Sequence, residues 1–192
     1  MTDVLRTRCL VTEERKTETK VNPGKMDDIV KSIMSMPISP VELLKVFTCM
    51  LAGIYTGCSV YAAVIEAPSR SNLPLHSLWE QWSTSLTRAA KVIPVMLLCM
   101  AASSGGVFYL SPASDELRNL WLAPVAASLF SFVYTLIVMR PETNILLEKD
   151  VITKKGNQWV REAVERWISR HYIRVVLGWV AFVLVLFATV KS

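Results

Sequence analysis

The chain has 192 residues, a net charge of +5 and 52% hydrophobic residues, with a mean hydropathy of +0.37. Apolarity on that scale, with the charges gathered into a tail and connecting segments, excludes an ordinary soluble domain. Basic and aromatic residues are not interleaved on any soluble surface, so the positive charge reads as topology and headgroup contact and no nucleic-acid partner is expected. Cys9, Cys49, Cys58 and Cys99 form no CxxC pair and three of them lie in apolar runs, so they read as packing residues.

Residues 1–38 mix Arg6, Arg8, Arg15 and Lys16 with Glu13, Glu14, Asp27 and Asp28 and contain no apolar signal core. They read as a polar, flexible tail that orders on a partner. Four apolar stretches follow: Val41 to Val64, Val92 to Leu110, Leu120 to Met139 and Val175 to Val190. A hydrocarbon core about 30 Å thick takes roughly 20 residues of helix, and lipid leaves no partner for unpaired backbone groups. The expectation is therefore an all-α, multi-pass integral membrane four-helix bundle over residues 39–192, with helices at about 41–65, 87–110, 118–140 and 157–190. The membrane is left open between endoplasmic reticulum and mitochondrion.

Along the first helix, Tyr55, Ser59, Ala62 and Glu66 share a face, and Gly53 with Gly57 forms a GxxxG suited to close helix approach. Four spans place the first and third connections on one face, opposite both termini. The long hydrophilic tail is easier to leave untranslocated, which favours cytosolic termini. The first connection, Glu66 to Lys91, carries Glu66, Arg70, His76, Trp79, Glu80, Trp82 and Arg88. His76, just after Pro74, reads as a turn residue. The third connection begins at Arg140, where Pro141 biases the preceding residue away from helical geometry. It then turns amphipathic, with Val160, Ala163, Val164, Trp167 and Ile168 at helical spacing, and Arg161–Glu165 and Glu162–Arg166 at i,i+4. No Gly or Pro separates this segment from the last span, so one helix extends beyond the bilayer. On it, Trp167, His171, Arg174 and Gly178 share an inward face. A cation there needs a partner, and Glu66 is the carboxylate best placed by sequence.

These features occur in a definite order. Glu66-Ala67-Pro68-Ser69-Arg70 ends helix one, and Trp79 and Trp82 precede Arg88. Met139-Arg140-Pro141-Glu142-Thr143-Asn144 ends helix three, and Trp167-x3-His171-x2-Arg174-x3-Gly178 enters helix four. From Pro40 to Val190 the chain resembles the anthrone oxygenase-like family of small four-helix membrane proteins. The commoner family pattern has Asn two residues after the proline, whereas here Thr143 holds that place and Asn144 follows. The resemblance implies a cofactor-free, metal-free oxygenase acting on a lipophilic phenolic or other aromatic molecule. Its catalytic residues would be His171 as base, Arg174 as anion holder and Glu66. Trp79, Trp82, Arg88, Arg140, Asn144 and Trp167 would contact substrate.

The same residues carry plainer readings. His171 suits an interfacial histidine bonded to Glu66 or to a backbone carbonyl. The tryptophans suit an aromatic belt, and Arg88 and Lys91 suit snorkelling to headgroups. A non-catalytic scaffold or accessory subunit, holding other membrane proteins through the GxxxG face and the tail, is the alternative function. A transporter is disfavoured, because no pair of Gly/Pro-broken spans offers a midplane site.

Overall fold

The computed structural model describes residues 39–191. The tail over residues 1–38, with Cys9, lies outside the described residues. Helices and short turns make up the remainder, with no strand among the described residues. Helix α1 runs Pro40–Ser71, α2 Leu75–Leu110, α3 Arg118–Leu146 and α5 Asn157–Lys191, with the one-turn helix α4, Val151–Lys155, between the last two. The four long helices are each long and apolar enough to cross a membrane. The chain is thus a multi-pass membrane protein. Its outward faces, carrying Leu43, Met50, Leu98, Leu129, Ile137, Val176 and Phe187, are exposed hydrophobic surface suited to lipid.

Each helix begins or ends for a local reason. Ser39 caps α1 in a capping box: its hydroxyl accepts from Glu42 N at 3.2 Å while Glu42 accepts from Ser39 N at 2.9 Å, with Pro40 at the first turn. Pro74 precedes α2. Gly156, at φ +84°, breaks the chain between α4 and α5. Arg161 donates to the Ser71 and Leu73 carbonyls at 3.0 and 3.4 Å, closing the end of α1 onto α5. It therefore serves the α1–α2 turn rather than the expected pair with Glu165, whereas Glu162 and Arg166 do pair, at 3.7 Å.

The helices outrun the expected spans at one end. The 36 residues of α2 measure about 54 Å at 1.5 Å per residue, well beyond a hydrocarbon core. Helix α2 begins twelve residues before the expected 87, and the long first connection shrinks to residues 72–74. Polar residues such as Glu80, Gln81, Ser83 and Thr84 hide this extension from a hydropathy reading, since a helix outside lipid needs no continuous apolar run.

Helices α1 and α3 also pass through prolines, by the same device. Alpha-helical geometry gives way to a π turn at Tyr61–Glu66 in α1 and at Thr135–Met139 in α3, and each π turn is followed at the second position by a proline, Pro68 and Pro141. A π turn shifts the hydrogen-bond register, so a residue without an N–H is accommodated without ending the helix. Arg140 is accordingly helical (φ −59°, ψ −39°), contrary to the bias expected before proline.

Among the described residues the interior has three apolar clusters. Val107, Trp121, Val185 and Ala188 fill the end near the α2–α3 connection, and Ala52, Tyr55, Leu97 and Met100 fill the middle. Leu78, Trp82, Leu146, Val151, Val160, Ala163 and Val164 form a cap. Thr48 donates to Ser103 at 2.8 Å, and Ser104 donates to the Trp121 carbonyl, so small polar side chains tie α1, α2 and α3 together. Among the described glycines the most tightly enclosed is Gly178, where an added Cβ would lie 3.1 Å from Tyr55 Cε1 and 3.2 Å from Thr56 Oγ1. The GxxxG pair plays a smaller part: Gly53 faces the Phe182 ring, and Gly57 has nothing within 4 Å.

Candidate functional site

Between the middle cluster and the cap lies a cavity of about 780 Å³ bounded by all four long helices, a size suited to a drug-sized ligand. Its construction follows from the π turns. Register shifts at functional sites commonly re-aim side chains, and here Glu66, Met139 and Arg140, at the ends of the two π turns, line the cavity. The Ser59 carbonyl just before the first π turn and the Ala63 carbonyl within it accept bonds from α5: His171 Nε2 lies 3.3 Å from the Ser59 oxygen, and the Tyr172 hydroxyl donates to Ala63 at 3.3 Å.

Three rings form a continuous wall. Trp82, 1% exposed, meets Trp167 edge to face, with centroids 5.7 Å apart. Trp167 in turn stacks on the His171 imidazole at 5.2 Å and 7°. Because a carbonyl can only accept, the bond to Ser59 assigns the proton to His171 Nε2 and leaves Nδ1 with its lone pair. Nδ1 is buried and has no hydrogen-bond partner among the described residues. The same is true of Trp82 Nε1, Thr143 Oγ1 and Arg174 Nε, all on cavity-lining residues. Four buried polar atoms without a partner among the described residues thus belong to side chains that line one cavity, a concentration that calls for an explanation.

Charge is distributed unevenly. Among the described residues, Arg70, Lys91, Arg140 and Arg174 line the cavity against a single carboxylate, Glu66. Glu66 is already engaged: Arg70 Nη2 lies 3.3 Å from its Oε1, and the Ser85 hydroxyl donates to it at 2.9 Å. It is therefore not the partner expected for His171 or Arg174. An arginine four residues on in the same helix outcompetes a partner on another element. Arg174, 9% exposed and one turn from His171, has no counter-ion among the described residues.

Of the nine residues expected at the site, Glu66, Trp82, Arg140, Asn144, Trp167, His171 and Arg174 border this cavity. Trp79 stands behind it, where its Nε1 donates to the Leu146 carbonyl at 2.7 Å and fastens α2 to the end of α3. Arg88 lies along an open surface groove with Ser77, Glu80 and Thr84. Sequence reasoning left out Arg70, whose i+4 spacing from Glu66 was the available signal. It also left out Thr143, which buries its hydroxyl while Asn144 is exposed. Both residues nevertheless border the cavity. His76 sits in the first turn of α2, exposed, 3.9 Å from Glu80. Among the described residues no three His, Cys, Asp or Glu side chains converge as metal ligands.

The site combines aromatic walls, a free imidazole nitrogen and an uncompensated guanidinium, an arrangement able to hold a planar aromatic molecule and the negative charge formed when it loses a proton. Comparison with curated proteins and with solved structures gives no match. A family model described as anthrone oxygenase matches residues 82–184, a stretch that carries Trp82, Arg140, Trp167, His171 and Arg174. Since that match spans more than half of the 192 residues, the chain belongs to the anthrone oxygenase family.

Proposed function

We propose that the protein is a membrane-embedded, cofactor-independent oxygenase that takes a lipophilic anthrone-like phenol into the cavity between the cap and the bilayer centre. The observation that carries this reading is the pairing of an orphaned imidazole nitrogen, His171 Nδ1, with the uncompensated Arg174 one turn away, at the end of an aromatic wall.

His171 removes a proton from the ring methylene, and Arg174 holds the resulting enolate oxygen, which is where negative charge develops. The electron-rich anion itself reduces dioxygen, forming a carbon–oxygen bond and a peroxide at the former methylene carbon. Proton return from His171, loss of the second C–H proton and cleavage of the O–O bond leave a carbonyl and water. Anthrone plus dioxygen gives anthraquinone plus water: the carbon loses four electrons and dioxygen gains four.

The test is native mass spectrometry of protein gently extracted from its own membranes, combined with oxygen uptake on adding anthrone to protein in lipid nanodiscs. A co-purifying aromatic, and uptake lost in His171→Ala and Arg174→Ala, support the reading. Stoichiometric protein partners around an empty cavity, with no uptake above the uncatalysed rate, would replace it with the scaffold function.

A further inference from the structure

Helix α2 packs along Leu122–Tyr134 in the first part of α3 and then parts from the segment beyond it. The two helices meet again at the cap, where Leu78 and Trp82 join Leu146 in one cluster and Trp79 bonds to the Leu146 carbonyl. From the end of the first contact onward the cavity lining includes exposed residues: Ala90, Lys91 and Pro94 on α2, and Phe132, Leu136 and Arg140 on α3. The gap is a window in the side of the bundle.

Its two jambs are graded in polarity. Pro94, Phe132 and Leu136 stand on the side of the apolar spans, while Lys91 and Arg140 stand where those spans end. Neither cation has an ion pair or side-chain hydrogen bond among the described residues, so neither is needed to balance a charge in the bundle. Two cations without an ion pair among the described residues, both on the lining of this cavity where the apolar spans end, suit an amphiphile with a flat apolar body and an acidic group.

We propose that the cavity is loaded sideways from the bilayer through the window between α2 and α3, and that Lys91 and Arg140 select membrane-dissolved aromatic acids over neutral aromatics of the same shape. This rests on the reading of the cavity as an aromatic-substrate site and adds to it the substrate's charge and its route. Arg174 then meets the charge formed in the reaction, while Lys91 and Arg140 meet the charge the substrate brings.

The test uses the full chain in phosphatidylcholine nanodiscs with two probes, pyrenebutyric acid and its neutral methyl ester, with binding read as energy transfer from tryptophan to pyrene. Membrane concentrations of each probe are corrected by empty nanodiscs. The wild type should bind the acid about tenfold more tightly than the ester, and the double variant Lys91→Gln/Arg140→Gln should bring that ratio close to one. Ala90→Trp, which narrows the window without altering charge, should slow association of both probes. Binding of both probes with no preference for the acid, or a preference that survives the double variant, overturns the selection by Lys91 and Arg140. Association unaffected by Ala90→Trp overturns the route. Failure of both probes to bind the wild type overturns the aromatic-site reading itself.

Discussion

Trp167 and His171 lie face to face one helical turn apart on α5, with ring centroids 5.2 Å apart and planes within 7°. The stack and the Ser59 carbonyl hold the imidazole from two sides, so its free nitrogen has a set direction. Loss of the imidazole in His171→Gln should lower turnover by about 10²–10⁴-fold, the range for a general base, with the thermal midpoint largely retained. Trp167→Ala should raise KM as well as lower kcat, because it removes both a substrate wall and the support of the base. Steady-state oxygen uptake on the two variants separates these effects.

Among the described residues Arg174 is buried without a counter-ion, which makes it a burden on stability. Replacing a buried, unneutralised charge with an apolar side chain of similar length is often neutral or stabilising. Arg174→Met should therefore keep or raise the melting temperature while abolishing turnover, and a thermal melt beside an activity assay checks both. A drop in stability would mean that the guanidinium holds the bundle together.

Glu66 and Arg70 form the opposite case. The Arg70 side chain is 5% exposed and Glu66 is its ion-pair partner at 3.3 Å. Glu66→Gln should destabilise by roughly 3–5 kcal/mol, the cost of leaving a buried charge unpaired. Glu66→Gln/Arg70→Met should recover much of that loss. Comparing denaturation of the single and double variants in the same detergent measures the coupling.

Gly178 and Gly57 offer a paired comparison on packing. A Cβ at Gly178 would press on Tyr55 and Thr56 at 3.1 and 3.2 Å, whereas one at Gly57 meets nothing within 4 Å. Gly178→Ala should cost about 1–3 kcal/mol, as overpacking does. Gly57→Ala should be close to neutral in the isolated protein. If Gly57→Ala instead breaks up an oligomer on size-exclusion chromatography, the GxxxG face holds a partner.

Much of the bundle was open to inspection in the sequence, because lipid imposes a severe rule: a span must be apolar over its whole length. The same rule failed wherever helices left the bilayer. The start of α2 at Leu75 carries too many polar residues to register as a span, and the continuation of α3 through Pro141 depends on a π turn that no periodicity announces. Site residues sorted in a similar way. The inward stripe of His171, Arg174 and Gly178 follows from spacing on one helix. Pairing between helices does not, and Glu66 is held by Arg70 rather than by α5.

What the sequence determined by itself was the solvent, the four spans, the extension of the last helix and the family, because each depends on residues local to one segment or on their order. Only the tertiary structure decided that two π turns aim Glu66, Met139 and Arg140 into one cavity, that Thr143 rather than Asn144 buries its polar group there, and that Arg174 has no counter-ion among the described residues. Those outcomes depend on helix register and on which neighbours arrive from other helices. A one-residue shift turns a side chain by about 100°, from cavity to lipid.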